Sequence, residues 1–237
     1  MRETSPAAND VGPADKESGN GDHGYDVSRV VMFSDAVFAV AITLLVLNIL
    51  PYADFASSPT PNAQELIRQL RSSTFLFQLF SYVLSFYIIG IYWQRHHWIF
   101  QHIVRGDGGL LWLNLTLLLF IVFLPFPTNL LGQLGGTSVV AAFYAGVLLI
   151  LSVVQLLLWE YAASHHRLVR PTLEQNTMVY MRTRMLIPLP ILAISIGLAF
   201  LNPYLAEATW LAMLLISPLV LRRFWAHRKP TSRDLSV

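Results

Sequence analysis

Six long apolar segments alternate with polar connections along the chain. Each is close to the roughly 20 residues that a helix needs to cross the hydrocarbon core of a bilayer. The segments are residues 29–50, 72–94, 109–131, 138–161, 184–201 and 204–222. Pro51 follows the first segment, and Pro203 separates the fifth from the sixth. The pattern predicts an all-α, polytopic membrane protein with six transmembrane helices, which we number helix one to helix six.

Both ends of the chain are polar and contain no apolar run. Residues 1–27 are rich in Pro, Gly, Asn, Asp and Ser and lack the apolar core of a secretory signal peptide. Residues 226–237 are similarly polar. We therefore expect two disordered tails around a transmembrane domain formed by residues 28–225.

The connections between the helices differ in charge. Arginines flank the loops after helices two and four, and Arg and Lys follow helix six, whereas PYADFASSPTPNA, NLLGQLGG and LNPYLAEAT contain neither. By the positive-inside rule, this asymmetry predicts a multi-pass protein of the cell membrane with both termini in the cytoplasm. Arg68 and Arg71 are exceptions, and the segment around them, AQELIRQLR, has helical apolar spacing that predicts an outer extension of helix two.

Composition excludes several classes of protein. Hydrophobic residues make up 54% of the chain and charged residues 13%, and the net charge of +2 comes from arginines beside apolar segments, so no nucleic acid partner is expected. The absence of Cys excludes disulfides and thiolate chemistry. The pairs at His96 and His97 and at His165 and His166 lack further ligands at metal spacing. With no catalytic or phosphate-binding motif either, we expect neither an enzyme, nor a cofactor, nor a fixed metal.

Helix one has two different faces. At about 100° per residue, one stripe of the helix is apolar throughout. It consists of Phe33, Ala36, Val37, Val40, Leu44 and Leu47. Asp35 points about 140° away from Val40, toward the face that carries Phe38, Ile42 and Leu45. The helical wheel alone leaves open whether the apolar stripe packs against another helix.

Asp35 is an unusual residue for a membrane helix. It lies about 9 Å inside Arg29, a depth at which an ionised carboxylate is costly without partners. Polar side chains at a matching depth occur on helix two and at the start of helix three. They are Trp93, His96, His97 and Asn114. Each can donate a hydrogen bond to a carboxylate, which would join three helices, although a histidine at this depth is equally compatible with an interfacial position that has no specific partner.

Arg29, Phe33, Ser34 and Asp35 form an R-x-x-x-F-S-D pattern at the start of helix one. Together with the following AVFAVAITLLVL, the W-x-x-HH exit of helix two and the run from Asn114 to FLPFPT of helix three, it resembles the transmembrane protein 175 family of potassium channels. The resemblance extends over Ser28 to Phe224. It implies a homotetramer in the lipid bilayer that passes potassium and other monovalent cations passively, with modest preference for potassium over sodium.

The resemblance also assigns roles to particular residues. It implies that helix one of each subunit lines a central pore, with apolar rings at Val40, Leu44 and Leu47 and a hydroxyl ring at Thr43. The motif network implied by the resemblance consists of Arg29, Phe33, Ser34, Asp35, Trp93, His96, His97 and Asn114. At position 40 the family more usually carries the bulkier Ile or Leu, so we expect a slightly wider first ring and weaker discrimination among cations.

Two other functions stay open from the sequence. A small secondary transporter or proton channel would couple to pH through Asp35 or the histidines, but no charged residue lies at the middle of any helix and no paired broken helices are present. A nonconducting membrane scaffold would bury the apolar stripe of helix one against lipid or a neighbouring helix.

Overall fold

The computed structural model describes residues 26–49 and 63–226. The two predicted tails lie almost wholly outside these ranges. So does the loop that follows helix one.

All six predicted segments are helical. Helix one is Val27–Leu44 continued by a 3₁₀ segment, Leu45–Ile49; helix two is Ser73–His102; helix three is Gly108–Phe123 and Pro125–Gln133; helix four is Ser138–Ala163; helix five is Gln175–Leu186 and Pro188–Leu201; helix six is Pro203–Ala226. The first five are long and apolar enough to cross a membrane, and helix six has 24 residues. Within the described ranges the chain forms no β-strand, as the all-α prediction requires.

Helices two and five differ from their predicted bounds. Helix five begins at Gln175, well before the predicted position 184, and restarts at Pro188. A proline is tolerated there because the first position of a helical segment has no intrahelical N–H partner to lose. The predicted extension of helix two is a separate helix, Ala63–Leu70, because Ser72 caps helix two by accepting a hydrogen bond from the Phe75 N–H at 3.2 Å.

Helix four forms the centre of the subunit. In its most apolar stretch 56% of the residues are buried, compared with 22% in helix one, and it packs against helices three and five. Buried hydroxyl groups connect it to its neighbours. Tyr144 shares a hydrogen bond of 2.8 Å with Ser85 of helix two, to which Thr128 of helix three also donates at 2.8 Å. Such bonds hold membrane helices in register because lipid offers polar groups no alternative partner.

The loops that follow helices two and four meet at one end of the subunit, which we call the arginine-rich end because Arg105, Arg167 and Arg170 lie there. The Val104 N–H donates to the Leu168 carbonyl at 2.8 Å, so the two loops are joined through their backbones. Helix one begins at this same end. The two hydrogen-bonded loops, which we call the loop pair, therefore lie at the end where helix one starts.

Asp107 connects the loop pair to helix three. Its carboxylate caps the helix by accepting from the Leu110 N–H at 2.9 Å, and it also accepts from the Tyr161 hydroxyl at 2.8 Å and from Arg167 at 3.0 Å. Partial burial alone would raise the pKa of the Asp107 carboxyl, but these hydrogen bonds and the charge of Arg167 outweigh burial and lower the pKa below its usual value.

Candidate functional site

One face of helix one packs against the rest of the subunit, and the opposite face is exposed. Val40, Leu44 and Leu47 expose 53%, 38% and 51% of their surface on the subunit, whereas Phe38 and Leu45 are buried to within 1%. The buried pair packs into the core that helix one forms with helices two and three. The face that the sequence predicted to be an uninterrupted apolar stripe is thus accessible on the subunit.

The far end of helix one changes its winding. From Leu45 to Ile49 the chain is a 3₁₀ helix, with about three residues per turn, in which side chains three apart eclipse each other. Leu47 therefore lies nearly in line with Leu44 along the helix axis, whereas a continued α-helix would rotate it by about 60°. Leu44 and Leu47 are therefore aligned along the helix, and together with Val40 they form what we call the exposed row.

Thr43 lies on the exposed side of this row. Its hydroxyl donates to the carbonyl of Val40 at 2.8 Å. Since the hydrogen atom is engaged with the backbone, the oxygen lone pairs are left to accept hydrogen bonds or to contact a cation. Thr43 is the polar element within an otherwise apolar face.

A buried chain of hydrogen bonds joins helix one to helices two and three near the arginine-rich end. Asn114 of helix three donates to Ser34 Oγ at 3.0 Å, and Ser34 in turn donates to the Val30 carbonyl at 2.8 Å. The amide oxygen of Asn114 lies 2.8 Å from His96 Nε2. With Asn114 in this orientation, His96 carries its proton on Nε2 and donates it. The side chains of Ser34, His96 and Asn114 are all fully buried.

Asp35 has a different partner from these residues. The indole Nε1 of Trp93 donates to Asp35 Oδ1 at 2.8 Å. His97 stacks on Trp93 with the ring centroids 5.8 Å apart and is 2.9 Å from the amide of Gln101. Of the donors predicted at this depth, Trp93 bonds the Asp35 carboxylate directly. His97 packs against the Trp93 ring, and His96 bonds Asn114 instead.

Arg29 and Phe33 do not join these contacts within the subunit. Phe33 is 54% exposed, and the exposed side chain of Arg29 lies near Asp26. Residues six apart on an α-helix point about 120° away from each other, so Arg29 and Asp35 face different directions. Arg29 and Phe33 therefore lie at the surface of the subunit, next to the exposed row.

The opposite end of helix one has an anchor that the sequence analysis missed. Asn48 donates to the Pro125 carbonyl at 3.0 Å and accepts from Asn129 at 3.1 Å, and Asn129 also accepts from Gln133 at 2.6 Å. Pro125 opens the backbone of helix three at this level. An amide in an apolar helix opposite a proline break is a signal that could have identified this contact.

Within the described residues, His, Asp and Glu side chains form no group of three or more that could hold a metal ion. The polar clusters at both ends of helix one are built from hydrogen bonds between protein groups. Their arrangement orients helix one and leaves its exposed row untouched.

Comparison with known proteins identifies the family. The family described as the endosomal/lysosomal potassium channel TMEM175 matches residues 29–125. A potassium channel of Streptomyces collinus is 33% identical over 185 residues, which are 76% of this chain and 85% of that protein. The chain belongs to the TMEM175 family. The predicted family is therefore confirmed, and because TMEM175 proteins are channels, so is the prediction that the chain is not an enzyme.

Other TMEM175 relatives extend the match. A potassium channel of Chamaesiphon minutus is 35% identical over 61% of this chain and 70% of that protein. The human endosomal/lysosomal proton channel TMEM175 is 24% identical over 88% of this chain, which corresponds to 42% of the human protein.

The crystal structure of a lysosomal potassium-selective channel TMEM175 homolog from Chamaesiphon minutus has the same fold. It aligns with a TM-score of 0.68 at 27% identity and covers 82% of this chain and 97% of that chain. The predicted all-α membrane fold is thereby confirmed. The region that matches the TMEM175 family, residues 29–125, contains the exposed row of helix one, the anchor at its start, and Asn48 with its partner Pro125 from the other anchor.

Proposed function

We propose that this chain is a potassium-permeable cation channel that works as a homotetramer, with helix one of each subunit lining a central pore. The observation that carries the proposal is the asymmetry of helix one, which is fastened through one face and exposes an apolar row with a single hydroxyl on the other. Relatives named potassium channels support the choice of ion.

Several subunits are needed to build such a pore. One exposed row cannot enclose an ion path, whereas four copies around an axis bring four side chains of each residue together. We therefore assign the face to the pore and to the subunit contacts beside it.

The constriction in this proposal consists of rings at Val40, Leu44 and Leu47. Apolar rings conduct when they are wide enough to hold water and close when they lose it. Partial dehydration at such a ring favours potassium over the more tightly hydrated sodium. Thr43, between the rings, offers a hydroxyl oxygen to the passing ion. Because Val40 is smaller than Ile or Leu, we expect only a modest preference for potassium.

In this proposal the motif network fixes the rotation of helix one, so that its exposed row faces the axis of the pore. Ser34 and Asp35 tie one end of helix one to helices two and three through Asn114 and Trp93, at 3.0 and 2.8 Å. Rotation of helix one would break these bonds before it could turn the row away from the pore. Arg29 and Phe33, exposed on the subunit, are assigned to contacts with a neighbouring subunit.

We assign the protein to the cell membrane with both termini in the cytoplasm. The support is the clustering of arginines at the end where helix one begins, which the positive-inside rule places in the cytoplasm.

The test compares two leucines on opposite faces of helix one. Leu47→Ala should widen its ring, raise potassium flux into liposomes and reduce the reversal potential measured between potassium and sodium solutions. Leu47→Trp should block the flux. Leu45→Ala is the matched control, because Leu45 is fully buried and its truncation should lower stability by about 2–5 kcal/mol without changing selectivity.

Two results would reject this assignment of the pore face. One is a shift of reversal potential in the Leu45 variant with none in the Leu47 variant. The other is a purified monomer that conducts. Absence of any ion flux from the folded parent protein would instead favour the scaffold.

A second candidate function is proton conduction, because the human relative is named a proton channel. It is distinguished by imposing a pH gradient across liposomes without potassium. Acidification of the lumen by the parent protein, retained in the Leu47→Trp variant, would favour a proton path separate from the row.

A further inference from the structure

A short amphipathic helix precedes helix two at the end of the subunit opposite the arginine-rich end. It is Ala63–Leu70, and its apolar and polar residues lie on opposite sides of the helix. Ile67 and Leu70 belong to the apolar side and expose 51% and 45% of their surface. The part of the subunit that the structure describes therefore covers only about half of these two side chains.

Such a helix needs a partner for its apolar side. An isolated helix of eight residues is marginal in water, and the stability of short helices in proteins comes mostly from packing of an apolar face. Ile67 and Leu70, half exposed on the subunit, give up part of that stabilisation if water covers them. An apolar surface that contacts both side chains would supply it.

The turn into helix two determines where the short helix lies. Two residues, Arg71 and Ser72, separate it from helix two, so Leu70 lies within about 11 Å of Ser73. Ser72 has extended backbone angles, φ −66° and ψ 146°. The chain therefore leaves the helical path between the two helices, and the short helix does not continue helix two.

The start of helix two marks the edge of the hydrocarbon core. Ser73 and Thr74 are polar and exposed, whereas Leu76 is apolar and 56% exposed. Helix two has 30 residues and is about 45 Å long, so part of it extends beyond a core about 30 Å thick. The change from polar to apolar exposed side chains after Thr74 places the edge of the core there. Leu70, four residues earlier, is therefore at the level of the lipid headgroups.

We propose that Ala63–Leu70 binds the surface of the phospholipid bilayer as an interfacial helix, with Ile67 and Leu70 inserted among the acyl chains. A helix with well-separated polar and apolar sides that is not apolar overall is typical of helices lying in the plane of the interface. Arg68 and Arg71 are exposed, and their long side chains can reach the lipid phosphates from this level. The proposal accounts for two arginines at an end of the subunit whose other connections contain none.

The test uses the absence of cysteine from the chain, which allows a nitroxide label to be attached at one chosen position. The full chain carrying I67C, L70C or R68C is labelled and reconstituted in nanodiscs of dioleoyl phosphatidylcholine and dioleoyl phosphatidylglycerol. Power-saturation EPR compares collisions of the label with oxygen, which concentrates in lipid, and with a water-soluble nickel complex. Labels at positions 67 and 70 should lie about 5–10 Å into the boundary between headgroups and acyl chains.

R68C is the matched control, because Arg68 is exposed on the same helix but points about 100° away from Ile67 and 160° away from Leu70. Its label should collide more with the nickel complex than with oxygen. If I67C fails to fold, L70C supplies the same comparison. Labels at positions 67 and 70 that meet the nickel complex as often as the label at position 68 would place the helix in water. Labels shielded from both reagents would mean that a second copy of the chain covers this face. Either result would overturn the proposal.

Discussion

Replacing Asn114 with Ala should destabilise the subunit more than any other single polar truncation in the motif network. Asn114 is fully buried and bonds Ser34 at 3.0 Å and His96 at 2.8 Å. Its removal leaves a buried imidazole N–H without a partner. It also deprives Ser34 of one of its two bonds, while the bond to the Val30 carbonyl persists.

The magnitude follows from the number of bonds lost. Side-chain hydrogen bonds between membrane helices contribute about 0.6 kcal/mol on average and about 1.7 kcal/mol at most. Two such bonds therefore predict a loss of about 1–3 kcal/mol in the free energy of unfolding. A double-mutant cycle with Ser34→Ala should return a coupling of about 0.6–1.7 kcal/mol, because Ser34 and Asn114 share one bond.

The assay is equilibrium or thermal unfolding in detergent. Thr116→Ala is a matched control on the same helix, since Thr116 is only half-buried and its hydroxyl donates to the Trp112 carbonyl of its own helix, at 2.8 Å. Its effect should stay within about 0.5 kcal/mol. If Asn114→Ala is no more destabilising than Thr116→Ala, or the coupling with Ser34 is zero, the buried chain does not stabilise the start of helix one.

Three further predictions concern other anchors. Asp35→Ala should lower the unfolding midpoint of the detergent-solubilised subunit by less than Asn114→Ala, because it removes the bond from Trp93 whereas Asn114→Ala removes the bonds to both Ser34 and His96; Asp35→Asn should be milder still, and a loss larger than that of Asn114→Ala would contradict this ranking. Asn48→Leu should release the end of helix one from helix three and alter the reversal potential through Leu47, whereas unchanged selectivity would exclude a role for Asn48 in placing Leu47. The carboxyl of Asp107 has a pKa below its ordinary value of 3.8, so its contribution to stability is present above about pH 3.8 and is lost as the pH falls through the lower pKa of the folded protein. Asp107→Asn should therefore reduce the fall in unfolding midpoint on the acid side, and an unchanged pH profile would argue against that contribution.

Hydropathy and helical periodicity were enough to predict much of this molecule. The lengths of the apolar segments located all six helices, because membrane crossing requires a nearly fixed number of apolar residues. The 100° periodicity separated Val40 from Asp35 on helix one, because the angle between two side chains on a regular helix depends only on their separation in sequence. Depth counting also brought Asn114 and Trp93 to the correct level.

Only the tertiary structure decided which of those groups meet. Periodicity describes one helix at a time, whereas a bond such as the 2.8 Å contact between Trp93 and Asp35 depends on how two helices are rotated and tilted against each other. The same holds for His96, which lies at the right depth for Asp35 but turns toward Asn114. The 3₁₀ end of helix one, at Leu45–Ile49, departs from the regular 100° spacing on which a helical wheel relies. Asn48 bonds a carbonyl that belongs to the proline-broken turn of another helix, and a contact of that kind arises only when the folded chain brings the two helices together.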